Sequence, residues 1–392
     1  MKKTIQHSAF TGAAFLMATS AIGPGFLTQT TVFTSQLLSS FGFVILISVL
    51  LDIGTQLNIW RVLAVTGKKA QLIANELLPG LGYFLAVLIL LGGLAFNIGN
   101  IGGCGLGLNV LTGMDPVYGA IISCGIALFI FWMKEAGKMM DSFTKILGVL
   151  MIILTIYVAI SSHPPVAEAV YRSFLPEKIS STAIVTLVGG TVGGYISFAG
   201  GHRLLDAGVK GEEYLPLVNK SAVTGIVVTS LMRFILFLAV LGVVMHGGIL
   251  DKTNPPASVF RLAAGETGYR FFGVVMWCAA ITSVVGAAYT SVSFLRSFHP
   301  LIEKNHRWLI SGFIVFSTIV FGVIGNPVKT LVMVGALNGL ILPVALTVIL
   351  LAATKKKLVG TYRHAFLLQV TGWLVVLVMG WMGWLTLAKW LS

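Results

Sequence analysis

The chain has 392 residues, of which 56% are hydrophobic and only 10% charged, with a mean hydropathy of +0.94 and a net charge of +13. That balance excludes a soluble domain, and no stretch is long and polar enough to form one. The positive charge reflects an asymmetry between loops and gives no reason to expect nucleic-acid binding.

Apolar stretches of about 20 residues, enough to cross roughly 30 Å of hydrocarbon, recur from end to end. The predicted spans are 10–38, 41–63, 81–111, 116–133, 143–161, 182–201, 222–246, 269–295, 308–325, 329–353 and 365–388. Met1-Lys2-Lys3 and its apolar run have the outline of a signal peptide, but the run continues through a polar break into a second span. With the N-terminus inside, seventeen of the 26 Lys and Arg fall in inside segments and seven in outside ones. By the positive-inside rule the N-terminus is then cytoplasmic, and an odd number of spans puts the C-terminus outside.

Span 1 contains Gly23-Pro24-Gly25 and a polar patch: Thr28, Gln29, Thr30, Thr31, Thr34, Ser35 and Gln36. In span 6, Gly189, Gly190, Thr191, Gly193, Gly194 and Tyr195 crowd together. Glycine and polar residues at that density weaken a helix, and a broken helix survives in lipid only where it lines a cavity or contacts protein. Breaks five spans apart are the mark of a five-plus-five inverted repeat with a site at the midplane. The expected layout is one transporter domain, with repeats over 10–161 and 182–353 and an extra helix at 365–388. Span 3 is also glycine-rich, and there close helix packing is the simpler reading.

Of the 13 acidic residues only Asp52 lies well inside an apolar run, and Arg233 sits near the middle of span 7. Charges at such depth are functional by default. Arg233 can act as a fork for a substrate carboxylate, pair with Asp52, or snorkel to the interface. Asp52 can be a coupling group, or it can pair or cap. Cys104, Cys124 and Cys278 show no metal spacing and read as buried packing residues. His202, Arg203 and Asp206 read as a capping and gating cluster, while His163, His246, His299, His306 and His364 read as solvated. Lys355-Lys356-Lys357 reads as an anchor that touches anionic lipid. Trp373, Trp381, Trp384 and Trp390 fit an interfacial belt.

The stretch from Gln56 through Arg61 to Thr66-Gly67-Lys68 resembles the end of the second span in NRAMP divalent-metal transporters. Gly23-Pro24-Gly25-Phe26-Leu27, Leu108 to Gly113, and Leu342-Pro343 resemble other parts of that family in the same order. The resemblance covers nearly the whole chain and implies the LeuT-like all-α fold and alternating access. Counted from Gly23, the family's metal-binding D-P-G-N falls at Thr34-Ser35-Gln36-Leu37, and its M-P-H at Gly193-Gly194-Tyr195. Its acidic residues of span 3 become Asn97 and Asn100, and its span-10 Gln falls near Gly335.

The resemblance therefore implies a secondary transporter whose family default is Mn or Fe, yet its metal ligands are missing. Thr34, Ser35, Gln36, Gly193, Gly194, Tyr195 and Arg233 are the expected substrate-binding residues. Asp52, Gln56, Asn97 and Asn100 are the expected coupling or gating residues. The alternative is uptake of a small organic anion or zwitterion, with sodium as a coupling option; a non-transporting receptor is more distant. No catalytic group and no cofactor is expected. The expected partners are the solute or ion and membrane lipid, and the setting a bacterial inner membrane.

Overall fold

The computed structural model describes residues 23–296 and 298–391, and among them every regular element is helical. In chain order the helices are α1 Pro24–Leu37, α2 Phe41–Thr66, α3 Ala70–Leu77, α4 Leu81–Thr112, α5 Pro116–Trp132, α6 Lys134–Ser161, α7 Val166–Phe174 and α8 Ser181–Thr191. They continue with α9 Ile196–Asp206, α10 Leu215–Met245, α11 Pro255–Ser293, α12 Pro300–Lys304, α13 His306–Ile324, α14 Pro327–Ala353, α15 Lys356–Val359 and α16 Phe366–Leu391.

Local chemistry sets many of these ends. Proline at the first helical position opens α1, α5, α11 and α14, where its missing N–H has no partner to lose. The side chains of Asp115, Ser180 and Asn326 cap α5, α8 and α14 by accepting a backbone N–H of the first turn. Gly67 closes α2 in the left-handed region, at φ 62°. Another positive-φ glycine, Gly265 at φ 65°, kinks α11.

Eight helical stretches among the described residues are long and apolar enough to cross a membrane. Pro24–Thr66 counts there as one stretch, although Leu38, at φ 50°, separates α1 from α2. Helix α5 is 17 residues long, and α6 passes into α7 through a bend of 102°. Each predicted span thus finds a helix, and the first, 10–38, is described only from residue 23.

The main core is assembled around α2, α8, α9, α10 and α14. Ser181–Asp206, the broken sixth span, is the most enclosed, with 94% of its apolar window buried. Elsewhere the helices turn apolar side chains outward: Leu367, Trp381 and Trp384 of α16 are exposed, as a lipid-facing helix requires.

Candidate functional site

One chain break among the described residues lies in the buried interior, and the expected break in span 1 falls at the edge of the described residues. In span 6, α8 stops at Thr191 and α9 restarts at Ile196, leaving residues 192–195 outside any helix. This is where Gly193 and Gly194 predicted an opening. The Gly194 N–H released there donates to the backbone carbonyl of Asn338 on α14, at 3.1 Å. Asn338 is itself held by Nδ2 hydrogen bonds to the Gly92 and Val334 carbonyls. Tyr195 ends the break; its ring lies against Phe96, and its hydroxyl donates to the Ala287 carbonyl at 3.2 Å.

In span 1 the outcome differs from the expectation. The polar patch 28–36 is continuous helix, and α1 begins at Pro24, directly after Gly23. The hydroxyls of Thr31 and Thr34 donate back to the carbonyls of Leu27 and Thr30, which lets polar residues stay helical in an apolar setting. Thr34 is fully buried, but Ser35 and Gln36 are exposed at the end of α1. They lie about three turns from the start of the helix and do not join the central site. Gln29 does face inward: its Nε2 donates to the Leu331 carbonyl at 2.8 Å, and its Oε1 is buried without a partner.

Arg233 reaches this centre from α10 and is 2% exposed. Its Nη1 donates to the Thr191 hydroxyl at 3.0 Å, and its guanidinium stands 4.5 Å from the centroid of the Phe26 ring. One side chain thereby connects the last residue of α8 with the first turn of α1. Nε and Nη2 have no hydrogen-bond partner. These two nitrogens point their N–H bonds along one edge of the guanidinium, the edge that grips a carboxylate in bidentate fashion. Asp52 on α2 is 1% exposed, and its Oδ1 is also unpartnered. The two charges act on each other electrostatically but do not come within 4.0 Å, so the ion pair, one of the alternatives for these two residues, does not form.

The other expected coupling residues are spread out. Gln56 donates to the Ala222 carbonyl of α10 at 3.3 Å. Asn97 is buried and donates to Ser317 on α13 at 3.1 Å. Asn100 is buried on α4. Phe26, Thr191 and Asn338 join the site without having been singled out as site residues. The available signal was the position of Thr191, two residues before the Gly193-Gly194 break.

A second polar region lies at the far end of α9. A cavity of about 700 Å³ is lined by Lys68, Lys69, Arg203, Lys210 and Arg296, with Asp206 and Glu303 as its acids. Arg296 pairs with Glu303, Lys68 with Glu76 at 2.6 Å, and Lys69 with Asp206 at 3.9 Å. His202, Arg203 and Asp206 lie together here, but His202 serves the start of α3 rather than an end of α9. It is buried against Phe294, and its Nε2 accepts the Ala70 N–H at 3.1 Å. His364 also departs from its solvated expectation. It links Tyr362 at 3.0 Å to Asn58 at 2.7 Å, and Tyr362 accepts from Arg61. Burial, then the charge of Arg61, push its pKa down to about 4.

Among the described residues no three His, Cys, Asp or Glu side chains come together as a metal ion would require. The family model described as Nramp, "Natural resistance-associated macrophage protein-like", matches residues 14–389. An uncharacterized membrane protein of Bacillus subtilis, YcsG, is 65% identical over 98% of this chain and 96% of its own length. A similar one from Haemophilus influenzae is 57% identical over 99% of this chain and 98% of its own. Among solved structures, a mutant of the Eremococcus coleocola manganese transporter superposes with a TM-score of 0.73 at 15% identity, over 99% of this chain and 87% of that one. MhsT in complex with L-phenylalanine gives a TM-score of 0.60 at 15% identity, over 95% of this chain and 96% of that one. The expected LeuT-like fold is therefore the fold of this chain.

Proposed function

Since the chain belongs to the Natural resistance-associated macrophage protein-like (Nramp) family and is a multi-pass membrane secondary transporter, we propose that its solute is a small organic carboxylate rather than a bare divalent metal ion. The observation that carries this reading is the open edge of Arg233, buried where α1 begins and α8 ends. A buried cation with two unused donors is costly unless an anion completes it. The N-terminus of α1 adds the positive end of a helix dipole on the same side.

The start of α1 supports the same reading. With the helix starting at Pro24, the stretch whose proline and glycine match the family's D-P-G-N is Gly23-Pro24-Gly25-Phe26 and not Thr34-Ser35-Gln36-Leu37, which corrects the register counted from Gly23. Glycine then replaces the carboxylate and phenylalanine the amide. Across the molecule, Gly193 stands where the family has its methionine. A bare divalent ion loses its charged ligand and its soft ligand together, and Arg233 repels what is left. The basic cavity at the end of α9 would raise the local concentration of an anion.

In this reading the two repeats run over 10–161 and 182–353, and the N-terminus and the basic cavity face the cytoplasm of a bacterial cell. Proteoliposomes loaded with a metal-quenched dye test the metal, and uptake of a panel of labelled carboxylates of two to six carbons tests the alternative. Saturable carboxylate uptake that Arg233→Gln abolishes is the expected result. Saturable Mn²⁺ quenching without carboxylate uptake overturns the proposal.

A further inference from the structure

The carboxylate reading uses one of the two buried charges and leaves Asp52 unexplained. Contacts between α2 and α10 fix where the two side chains stand. Arg61 donates to Asn219 at 3.0 Å near one end, Gln56 to the Ala222 carbonyl at 3.3 Å further along, and the rings of Phe41 and Phe237 meet at 5.7 Å near the other end. Residue numbers rise on one helix as they fall on the other, so the pair is antiparallel. On that register the backbone of Arg233 lies level with about Ile45, some seven residues or on the order of 10 Å along the axis from Asp52.

Helical side chains lean toward their own N-terminus. Arg233 therefore leans toward the level of Asp52, and Asp52 leans toward Arg233. They converge, and each keeps an unpartnered atom: Oδ1 on Asp52, Nε and Nη2 on Arg233. Opposite charges in a low-dielectric interior gain most by touching, yet these two stay apart, their helices tied elsewhere. A molecule that joined them would accept hydrogen bonds at the Arg233 end and donate one at the Asp52 end.

We propose that Asp52 is the second anchor of the solute site, accepting an N–H group of the solute whose carboxylate sits on Arg233. The substrate class is thereby narrowed to small amino-acid-like molecules that carry a carboxylate and a nitrogen donor. This inference rests on the carboxylate reading, which can stand without it.

The test is a competition assay on the full chain, in detergent and in proteoliposomes, with three probes of similar size: alanine, propionate and ethylamine. Alanine is expected to bind with an apparent Kd about tenfold or more below that of propionate, the yield of one charge-assisted hydrogen bond, and ethylamine not to bind measurably. Asp52→Asn should bring alanine to the level of propionate, while Asp52→Glu, which keeps the acid, should retain part of the preference. Equal binding of alanine and propionate to the native chain overturns the inference and leaves the carboxylate reading in place. So does a preference that survives Asp52→Asn. Failure of both carboxylates to bind, in protein whose thermal transition is intact, overturns both.

Discussion

Gly189 of α8 and Gly335 of α14 meet backbone to backbone beside the broken span. A Cβ built on Gly189 would overlap the Gly335 carbonyl oxygen and the Gly339 N–H, and neither can move without shifting a helix. Gly189→Ala should therefore destabilise the protein by about 3 kcal/mol or more, at the upper end of overpacking effects. Thermal unfolding of the purified variant checks this. Gly125, with open space around its Cβ position, is the control, and Gly125→Ala should be close to neutral.

Arg233→Lys keeps the charge and loses the fork. A point charge cannot hold the Thr191 hydroxyl and grip a carboxylate along a parallel edge. Transport should fall about 10- to 100-fold in kcat/KM, the range of one to two lost charge-assisted bonds. Thr191→Val removes the Nη1 partner while keeping the shape, so a smaller loss in the same parameter is expected. Initial-rate uptake on the three proteins decides it.

The ion pairs around the basic cavity are partly exposed, and solvent and salt screen such pairs so that they add little to stability. Glu303→Gln should leave the melting temperature nearly unchanged. The cations act on arrival rates instead: neutralising Arg203 and Lys210 together should slow anion uptake or release at about 0.01 M salt, with the difference largely gone near 1 M. The measurement is exchange rate against ionic strength.

His364 makes stability depend on pH. Its pKa falls from 6.5 to about 4 in the folded protein, so the unfolded chain binds a proton that the folded one refuses. The stability it gives is fully present above about pH 6.5 and is lost as the pH falls toward 4. Replacing it with Gln should flatten the acid limb of a plot of melting temperature against pH over that window. An unchanged acid limb would mean that another group controls it.

The sequence displayed its spans and the second break plainly, because apolar length and the Gly193-Gly194 pair are local signals. The start of α1 was harder to place. The hydroxyls of residues 28–36 suggested unwinding, but Thr31 and Thr34 satisfy themselves on their own helix. Ser35 and Gln36 consequently fell outside the centre. Arg233 stood out because charge is rare at that depth. Its Thr191 and Phe26 contacts are long-range and leave no periodic trace. The separation of Asp52 from Arg233 depends on the register of α2 on α10, which rests on Arg61, Asn219, Phe41 and Phe237 together.

The sharp bend after α6 has a mechanical consequence. Helix α7 lies against the start of α2, where a Cβ on Gly42 would overlap the Ser173 hydroxyl, and the Ser40 hydroxyl just ahead accepts the Glu177 N–H at 3.0 Å. The turn between α1 and α2 is thus clamped by a short crank whose other arm is α6. Any tilt of the first two helices must swing that arm, so the fifth predicted stretch cannot stay still while the first pair rocks.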